Sequence, residues 1–543
     1  MAATASEQVM RTPIEVSRRD LVKGAPLGAL TAMTVLAPGT ARAAPLSLDA
    51  LDATVSRFMK AFEIPGVAVA IIRPGHEPAL RAYGVRQLGR PERIDIHTQF
   101  AIASNSKAFL AASLALLVDE KKLSWDDPVT LHLPEFQMYD PAVTAMMTVR
   151  DLLLHNSGLP LGAGDLMQVP PTDHGAADIL AALRYFKPAM PFRSAYAYDN
   201  ILYIVAGIVL QRVSGLSWDQ FVASRIFAPL GMADAITNTT LMTGPNHAAR
   251  HARLGPPTRG LGRMEVVPPS ESAVIGPAGG ICVSVSGIVP WLQVQLGKGA
   301  LPTGMRLWSE AQAREMWTPR TITASGRGPD PDHPERSVLS AYALGWGVAD
   351  YRGHRMLSHS GGLAGQITRT TLLPDNQIGF VVYSNCEDAD AVSALRYAIL
   401  DLLLDAPSHD WLGDARAVRA AQQQQVAQLL GSGDFKAPPG GPSLPLDQYT
   451  GRYRDPWYGD IVIAKTGGAL AIDFTRTPAL KSALEPFGSD CFRTRLARGA
   501  GEDAIACFTV TDGAVSQVSL KALSPLADFS FDFHDLRPVR VSR

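Results

Sequence analysis

Phe100-Ala101-Ile102-Ala103-Ser104-Asn105-Ser106-Lys107, running on through Ala108-Phe109-Leu110-Ala111-Ala112 to Leu117-Val118, is the stretch on which the reading of this chain turns. From Ala108 to Val118 the residues are apolar almost all round, which predicts a helix buried on every side. A serine hydroxyl is a weak nucleophile and needs a neighbouring base. A lysine three residues further on shares its helix face. The positive end of the helix dipole also faces the pair, which disfavours a second positive charge and helps lower the lysine pKa. Taken alone, Ser-x-x-Lys is a common pairing of an N-cap serine with a surface lysine. The buried helix changes the balance, because an unpartnered lysine opening it would be costly.

Upstream, Leu51, Val55, Phe58, Met59 and Phe62 recur at helical spacing until Pro65-Gly66. Val67 to Ile72 is an apolar run of strand length, and Leu80 to Val85 returns as its hairpin partner. Downstream, residues 100 to 320 read as mostly helical, with Ile201 to Val213 a second strongly apolar helix and a Pro- and Gly-rich loop from Leu159 to Thr172. Strand signals resume near Tyr342. Met356-Leu357 leads into a glycine turn, and Thr368 to Leu373, Pro374-Asp375-Asn376-Gln377 and Ile378 to Tyr383 read as a hairpin. Ala391 to Leu404 closes this domain as a helix. The pattern is α+β, terminal strands around a helical insertion.

After Asp405 the character changes. Ala415 to Leu430 is helix-capable and carries four consecutive glutamines; Gly431 to Pro445 is a linker rich in Gly, Pro and Ser. From Tyr449 short alternating runs predict a small all-β sandwich or barrel. The expected divisions are a leader over 1–43, an α+β domain over 44–405, a helix and linker over 406–445, and a β domain over 446–543.

The leader reads Ser17-Arg18-Arg19-Asp20-Leu21-Val22-Lys23, then a short apolar stretch to Ala37, then Ala41-Arg42-Ala43. That order of charge, apolar run and A-x-A site is an export signal, with paired arginines of the twin-arginine kind. It predicts a periplasmic or secreted protein with no transmembrane segment in the mature chain, since the apolar stretch is too short to span a bilayer. Hydrophobic residues make up 46% and charged residues 19%, with Lys+Arg 50 against Asp+Glu 51, so no basic face for nucleic acid is expected. The four cysteines, Cys282, Cys386, Cys491 and Cys507, are too scattered for a disulfide scaffold or a zinc site. Four buried thiols are expected. Cys491 and Cys507, in two β-rich segments, are the one pair that could bond.

The segment around Ser104 and Lys107 resembles the active site of class C β-lactamases, low-molecular-weight penicillin-binding proteins, D-aminopeptidases and related esterases. Thr148-Val149-Arg150-Asp151-Leu152-Leu153 running into His155-Asn156-Ser157-Gly158-Leu159, Ala278-Gly279-Gly280 with Ser284, and Tyr342-Ala343-Leu344-Gly345-Trp346-Gly347 are similar to further signatures of that family. The resemblance covers about residues 48 to 405 and implies a β-lactamase/transpeptidase-like fold. No G-x-S-x-G occurs, so a nucleophile elbow is not supported.

For the family's second motif, Y-x-N, two candidates stand: Tyr198-Asp199-Asn200 and Tyr383-Ser384-Asn385. The first is preferred, because it lies in a loop ahead of an apolar helix whereas the second ends an apolar strand. Tyr198 would act as a base if ionised, or relay a proton to the leaving group if neutral; Asn200 would hydrogen-bond the substrate's amide. For the third motif, a literal Lys465-Thr466-Gly467 falls in the C-terminal β segment and, followed by Gly468, reads as a hairpin turn. His359-Ser360-Gly361-Gly362 is the better candidate. H-x-G in place of K-T-G resembles the D,D-carboxypeptidase and D-aminopeptidase branch. The resemblance implies an oxyanion hole from the N–H groups of Ser104 and Gly362, with His359 supplying electrostatics and proton transfer near the substrate carboxylate or leaving group. Ser360 and Gly361 would line the substrate strand.

The expected catalytic residues are thus Ser104, Lys107, Tyr198 and His359, with Asn200, Ser360, Gly361 and Gly362 binding substrate and neither metal nor cofactor required. Class A chemistry is disfavoured, since Y-D-N stands where S-D-N is needed and no deacylating glutamate can be picked out. The expected partner is a small peptide, ester or β-lactam. A D-peptidase is the leading expectation, ahead of a carboxylesterase or class C-like β-lactamase. A penicillin-binding sensor or interaction protein without turnover is the alternative of another class. Leu159 to Ala197 and Thr321 to Ser340 are expected to rim the cleft.

Overall fold

The computed structural model describes residues 46–255, 259–431, 437–525 and 527–542. The expected leader therefore lies outside the described residues, as do 432–436 of the expected linker. Ser47 starts the first helix, α1 (Leu48–Phe62), by accepting the N–H of Ala50, as an N-cap serine should. Leu51, Val55, Phe58 and Phe62 form its buried stripe, and Glu63 ends it in the left-handed region at φ 54°. β1 (Gly66–Ile72) is buried along its whole length and pairs with β2 (Ala79–Gly84). The buried helix expected after Ser104 is α2 (Ser106–Asp119), and the second apolar helix is α3 (Ile201–Ser214).

The remaining strands of the main sheet are β3 (Thr321–Ser325), β4 (Leu339–Tyr342), β5 (Gly347–Tyr351), β6 (His354–Leu363), β7 (Gln366–Leu373) and β8 (Ile378–Ser384). α4 (Ala389–Leu404) and α5 (Trp411–Gly431) follow. The antiparallel order is β2-β1-β8-β7-β6-β5-β4-β3, so chain-start strands pair with chain-end strands around the helical insertion. Alternation splits the sheet between two cores. Val67, Val69, Ile71, Phe380 and Val382 pack with α1 and α4. Ala68, Ala70, Val381 and Tyr383 face the core that holds α2 and α3.

One local expectation is corrected. Gly361 and Gly362 do not form a turn; they lie inside β6, and the chain reverses after Leu363, at Gly365 with φ 77°. β5 pairs with β6 only from His354 to Ser358, so it leaves the His359–Leu363 end of β6 uncovered. Glycines here serve close approach rather than reversal.

The C-terminal strands are β9 (Gly451–Asp455), β10 (Gly459–Thr466), β11 (Ala469–Phe474), β12 (Ser482–Pro486), β13 (Cys491–Thr494), β14 (Ala504–Thr511), β15 (Ala514–Ala522) and β16 (Val539–Ser542). They close into a barrel, which leaves no free edge. Lys465-Thr466-Gly467 lies at the β10–β11 hairpin, with Gly467 and Gly468 at φ 59° and 87°. The expectation of four thiols is corrected as well. Cys491 and Cys507 stand opposite each other in the β13–β14 register and are bonded, while Cys282 and Cys386 are free and buried. Scattered positions in sequence became neighbours because pairing of the two strands sets them face to face.

The barrel docks on the helical part of the first domain. Trp457 meets Phe186 with ring centroids 5.0 Å apart, Tyr458 meets His174 at 5.2 Å, and Arg476 bonds Asp173 and, at 2.9 Å, Asp178. No single described helix is long and apolar enough to cross a membrane.

Candidate active site

Ser104 sits in a tight turn, Ala103–Asn105, that leads directly into α2. Ala103, just before it, is held at φ 48°, a conformation that costs a non-glycine residue about 1–3 kcal/mol and persists only when its surroundings enforce it. The anchors are visible. Ile102 N–H donates to Ile281 O at 2.8 Å; Asn105 Nδ2 donates to Ile102 O and to Thr368 Oγ1, each at 2.9 Å; Thr368 Oγ1 donates to Ile102 O at 3.0 Å. The turn is thereby clamped to β7. Gly361 completes the clamp: a Cβ there would overlap the Ile102 carbonyl oxygen and come within 2.8 Å of Asn105 Nδ2.

Lys107 has no solvent exposure. Its Nζ lies 3.3 Å from Ser104 Oγ, and donates to Asn200 Oδ1 at 2.7 Å and to Ala278 O at 2.9 Å. The rings of Tyr198 and Tyr203 lie 4.7 and 5.0 Å from the same nitrogen. Burial pushes its pKa down to about 7, against the opposing pull of Asp165 and Asp199. Near neutrality a large fraction of the amine is therefore free to accept a proton.

Tyr198 precedes α3, whose N-cap is Asn200. Its phenol donates to Ser104 Oγ at 2.7 Å. Burial holds the phenol pKa well above its ordinary value, so it stays protonated and the neutral-relay alternative is the one the site favours. Asn200 is placed differently from its expected role. Its carbonyl oxygen accepts from Lys107 and its amide nitrogen donates to both oxygens of Asp165 at 3.1 Å. The side chain thus ties Lys107 to Asp165 while also lining the cavity over Ser104.

His359 also departs from expectation. Its Nδ1 lies 2.6 Å from Ser360 O, which fixes the proton there, and Nε2 then accepts from Tyr342 Oη at 2.8 Å. Burial, reinforced by Lys107, pushes its pKa down to about 3. It offers no positive charge at neutral pH. Any proton it moves passes through Tyr342, whose hydroxyl is 3.4 Å from that of Tyr203. His155, from the expected His-Asn-Ser-Gly signature, fills the centre of this aromatic group, 4.4 to 5.6 Å from the rings of Tyr196, Tyr198, Tyr203 and Tyr342.

A cavity of about 780 Å³ opens over Ser104 and is lined by Tyr198, Asn200, His359, Ser360 and Gly362. A second, of about 700 Å³, shares Tyr198, His359 and Ser360, and its far wall carries Arg369 and Arg396. Gly361 faces the Ser104 turn, while Ser360 and Gly362 face the cavities. The structure thus brings Ser104, Lys107, Tyr198, Asn200 and the His359–Gly362 strand to one cleft. The rejected candidates are elsewhere: Tyr383 is in β8 against Phe100, and Lys465 pairs with Asp447 on the barrel surface.

Sequence reasoning missed Asp165, Tyr342, and the pair Arg369 and Arg396. It also missed the barrel segment Asp528–Phe531, which lines the first cavity. Only Tyr342 carried a signal, as the first residue of a quoted signature. The others come together through contacts between residues far apart in the chain.

Comparison with known proteins agrees with this architecture. A family model described as Beta-lactamase matches residues 51–404, and a domain of unknown function, DUF3471, matches residues 436–540. An unguisins hydrolase of Aspergillus campestris is 28% identical over 440 residues, covering 77% of this chain and 78% of that protein. Among solved structures, an octameric penicillin-binding protein homologue from Pyrococcus abyssi superposes with a TM-score of 0.56 at 18% identity, covering 91% of this chain and all of that one. A D-amino acid amidase from Ochrobactrum anthropi gives 0.52 at 22% identity, covering 68% of this chain and 99% of the other. With a match across about two thirds of its length, and a nucleophile, amine and phenol converging in one cleft, this chain belongs to the beta-lactamase family and is a serine hydrolase.

Proposed function

We propose that the protein hydrolyses amide bonds of D-configured peptides through an acyl-enzyme on Ser104. The observation that carries the mechanism is the environment of Ser104 Oγ, 2.7 Å from the Tyr198 phenol and 3.3 Å from the Lys107 amine. The phenol donates to Oγ, so the proton of Ser104 is free to pass to the unprotonated amine as Oγ attacks the carbonyl carbon. The N–H groups of Ser104 and Gly362 receive the developing oxyanion, a contribution of about 3 kcal/mol per donor in enzymes of this chemistry. On collapse the proton held by Lys107 returns through Tyr198 to the departing amine. Water then enters along the same path, loses its proton to the same pair, and frees the acid.

Two features support a peptide with an anionic end. His359-Ser360-Gly361 resembles the D-peptidase branch of the family. In addition, Arg396 is nine-tenths buried, and neither it nor neighbouring Arg369 forms an ion pair among the described residues. Burial and the nearby Arg396 push Arg369 down to about 10. Two guanidiniums with no carboxylate in ion-pair contact among the described residues, Arg369 lying opposite Ser360 in the strand register and bonded to Ala389 O and Ser393 Oγ, complement a terminal carboxylate on the leaving-group residue. That favours a carboxypeptidase-type substrate over an aminopeptidase-type one.

The test is a panel: a D-Ala-D-Ala peptide, a D-aminoacyl amide, a short p-nitrophenyl ester and nitrocefin, each with wild type and Ser104→Ala. Release of D-Ala by wild type alone is expected. Ester turnover alone would replace the peptidase reading with an esterase, rapid nitrocefin turnover with a β-lactamase, and a stoichiometric burst without turnover with a sensor.

We also propose export by the twin-arginine route. The bonded Cys491 and Cys507 support an oxidising compartment. Replacing Arg18 and Arg19 by lysine should leave the protein in the cytoplasmic fraction; unchanged fractionation would refute the route.

A further inference from the structure

The barrel reaches further into the cleft than a docked accessory domain needs to. Between β15 and β16 the chain passes over the loop Gly162–Gln168 of the first domain. Asp532 Oδ2 accepts the N–H of Gly164 at 2.8 Å and Oδ1 that of Leu166 at 3.1 Å. Ser530 Oγ donates to Asp165 Oδ2 at 2.9 Å. Phe529 lies edge-on to Tyr198, ring centroids 6.0 Å apart, and a Cβ on Gly162 would come within 2.7 Å of its ring.

Asp165 is the point where these contacts meet the chemistry. It has no solvent exposure, and accepts from Ser530, from Gln168 Nε2 at 2.6 Å and from Asn200 Nδ2 at 3.1 Å. Asn200 turns its other end to Lys107. A continuous chain of hydrogen bonds therefore runs from the barrel's Ser530 through Asp165 and Asn200 to Lys107, which touches the nucleophile. We infer that Asp165 is a positioning residue for Lys107, and that the C-terminal barrel completes the active site by holding Asp165 in place. This rests on the reading of Lys107 as the base for Ser104.

A buried carboxylate that only shaped its loop would need neither Asn200 nor proximity to an ammonium. In a dry site it is expensive unless donors saturate it. Here the donors come from three separate segments, and the charge they stabilise is the counter-charge to protonated Lys107. The groups facing Lys107 are Asp165, Asp199, His155, His359 and the rings of Tyr198 and Tyr203. Those facing Asp165 are Lys107, Asp528 and Asp532, besides its hydrogen-bond donors. Burial pushes Asp165 itself up to about 7, with Asn200, Ser530 and Lys107 pulling it back. Loss of the Ser530 hydroxyl weakens that pull and favours a protonated, uncharged Asp165, which in turn disfavours protonated Lys107.

The experiment is the pH profile of kcat/KM for the best p-nitrophenyl ester, measured on the full-length wild type, Asp165→Asn, Ser530→Ala and Ser530→Thr. Removing the carboxylate charge should move the acid limb to lower pH by about half a unit or more, and lower the plateau at least roughly tenfold as Asn200 loses its anchor. Ser530→Ala should move the limb the same way by less, and Ser530→Thr, which keeps the hydroxyl, should restore it. Should Asp165→Asn fail to fold, the two Ser530 variants carry the test. A wild-type limb that Asp165→Asn and Ser530→Ala leave in place overturns this inference alone. A wild-type profile without an acid limb near neutrality overturns the base assignment and this inference with it.

Discussion

Tyr198-Asp199-Asn200 and Tyr383-Ser384-Asn385 spell the same motif, yet only the first, whose tyrosine is half-buried at the cavity wall, meets Ser104, while Tyr383 is fully buried. Tyr198 ends a loop that delivers its hydroxyl to Oγ, with Asn200 at the start of α3 bonding Lys107. Tyr383 sits in the middle of the sheet between β1 and β7, its ring against Phe100 and its hydroxyl without a partner among the described residues. Asn385 spends its amide on the carbonyls of Val85 and Arg86, both at 3.1 Å. The same letters do chemistry at the end of a loop and structure inside a strand. What separates them is the element that carries them, because a strand interior fixes where the hydroxyl points before any substrate is considered.

The sharpest way to break that contrast is Tyr198→Phe. Without the relay kcat/KM should fall by about 10²–10⁴-fold, the usual range for a general acid–base group, in steady-state assays of the best substrate. A loss under threefold would remove the phenol from the mechanism. A second contrast concerns glycines. Gly361→Ala drives a Cβ into the Ile102 carbonyl, and should cost about 1–3 kcal/mol of stability as an overpacked site while displacing Ser104. Gly467→Ala, at the rejected Lys-Thr-Gly, meets open space and strains only its φ of 59°, so about 1 kcal/mol is expected and no loss of activity. Thermal melts with parallel rate assays separate the two. The third concerns pH. Since Lys107 must be unprotonated to accept a proton and burial sets its pKa at about 7, kcat/KM should rise about tenfold per unit below pH 7 and level off above it. The smallest effect is expected at Tyr383→Phe. Deleting an unpartnered buried hydroxyl should leave rates unchanged and stabilise the fold by at most about 1 kcal/mol, read as a rise in Tm.

Much of the architecture was legible because it depends on local patterns. Leu51 through Phe62 declares its helix by periodicity, and Val67 through Ile72 and Ala108 through Val118 declare theirs by the length and composition of an unbroken apolar run. Ser104, Lys107 and Tyr198 were legible because their spacing and flanking elements match a known arrangement. Reading failed where a residue's role depends on what lies across from it. The stretch after Met356-Leu357 read both as a glycine turn and as a strand lining the substrate, since nothing in the sequence shows the Ser104 turn lying against it. Asn200 read as a substrate ligand because its real partner, Asp165, sits in a loop with no motif of its own. Ser530 and Asp532 lie more than three hundred residues from the loop they bond. Cys491 and Cys507 paired through strand register, which isolated short runs do not specify.

The central claim is that Ser104 Oγ carries the acyl group. Rapid quenching of a slow ester substrate, followed by digestion and mass spectrometry of the modified peptide, addresses it directly. The account predicts one acyl adduct, on Ser104, that forms and decays at rates matching turnover and is absent from Ser104→Ala. An adduct on another residue, or undiminished hydrolysis by Ser104→Ala, would contradict it.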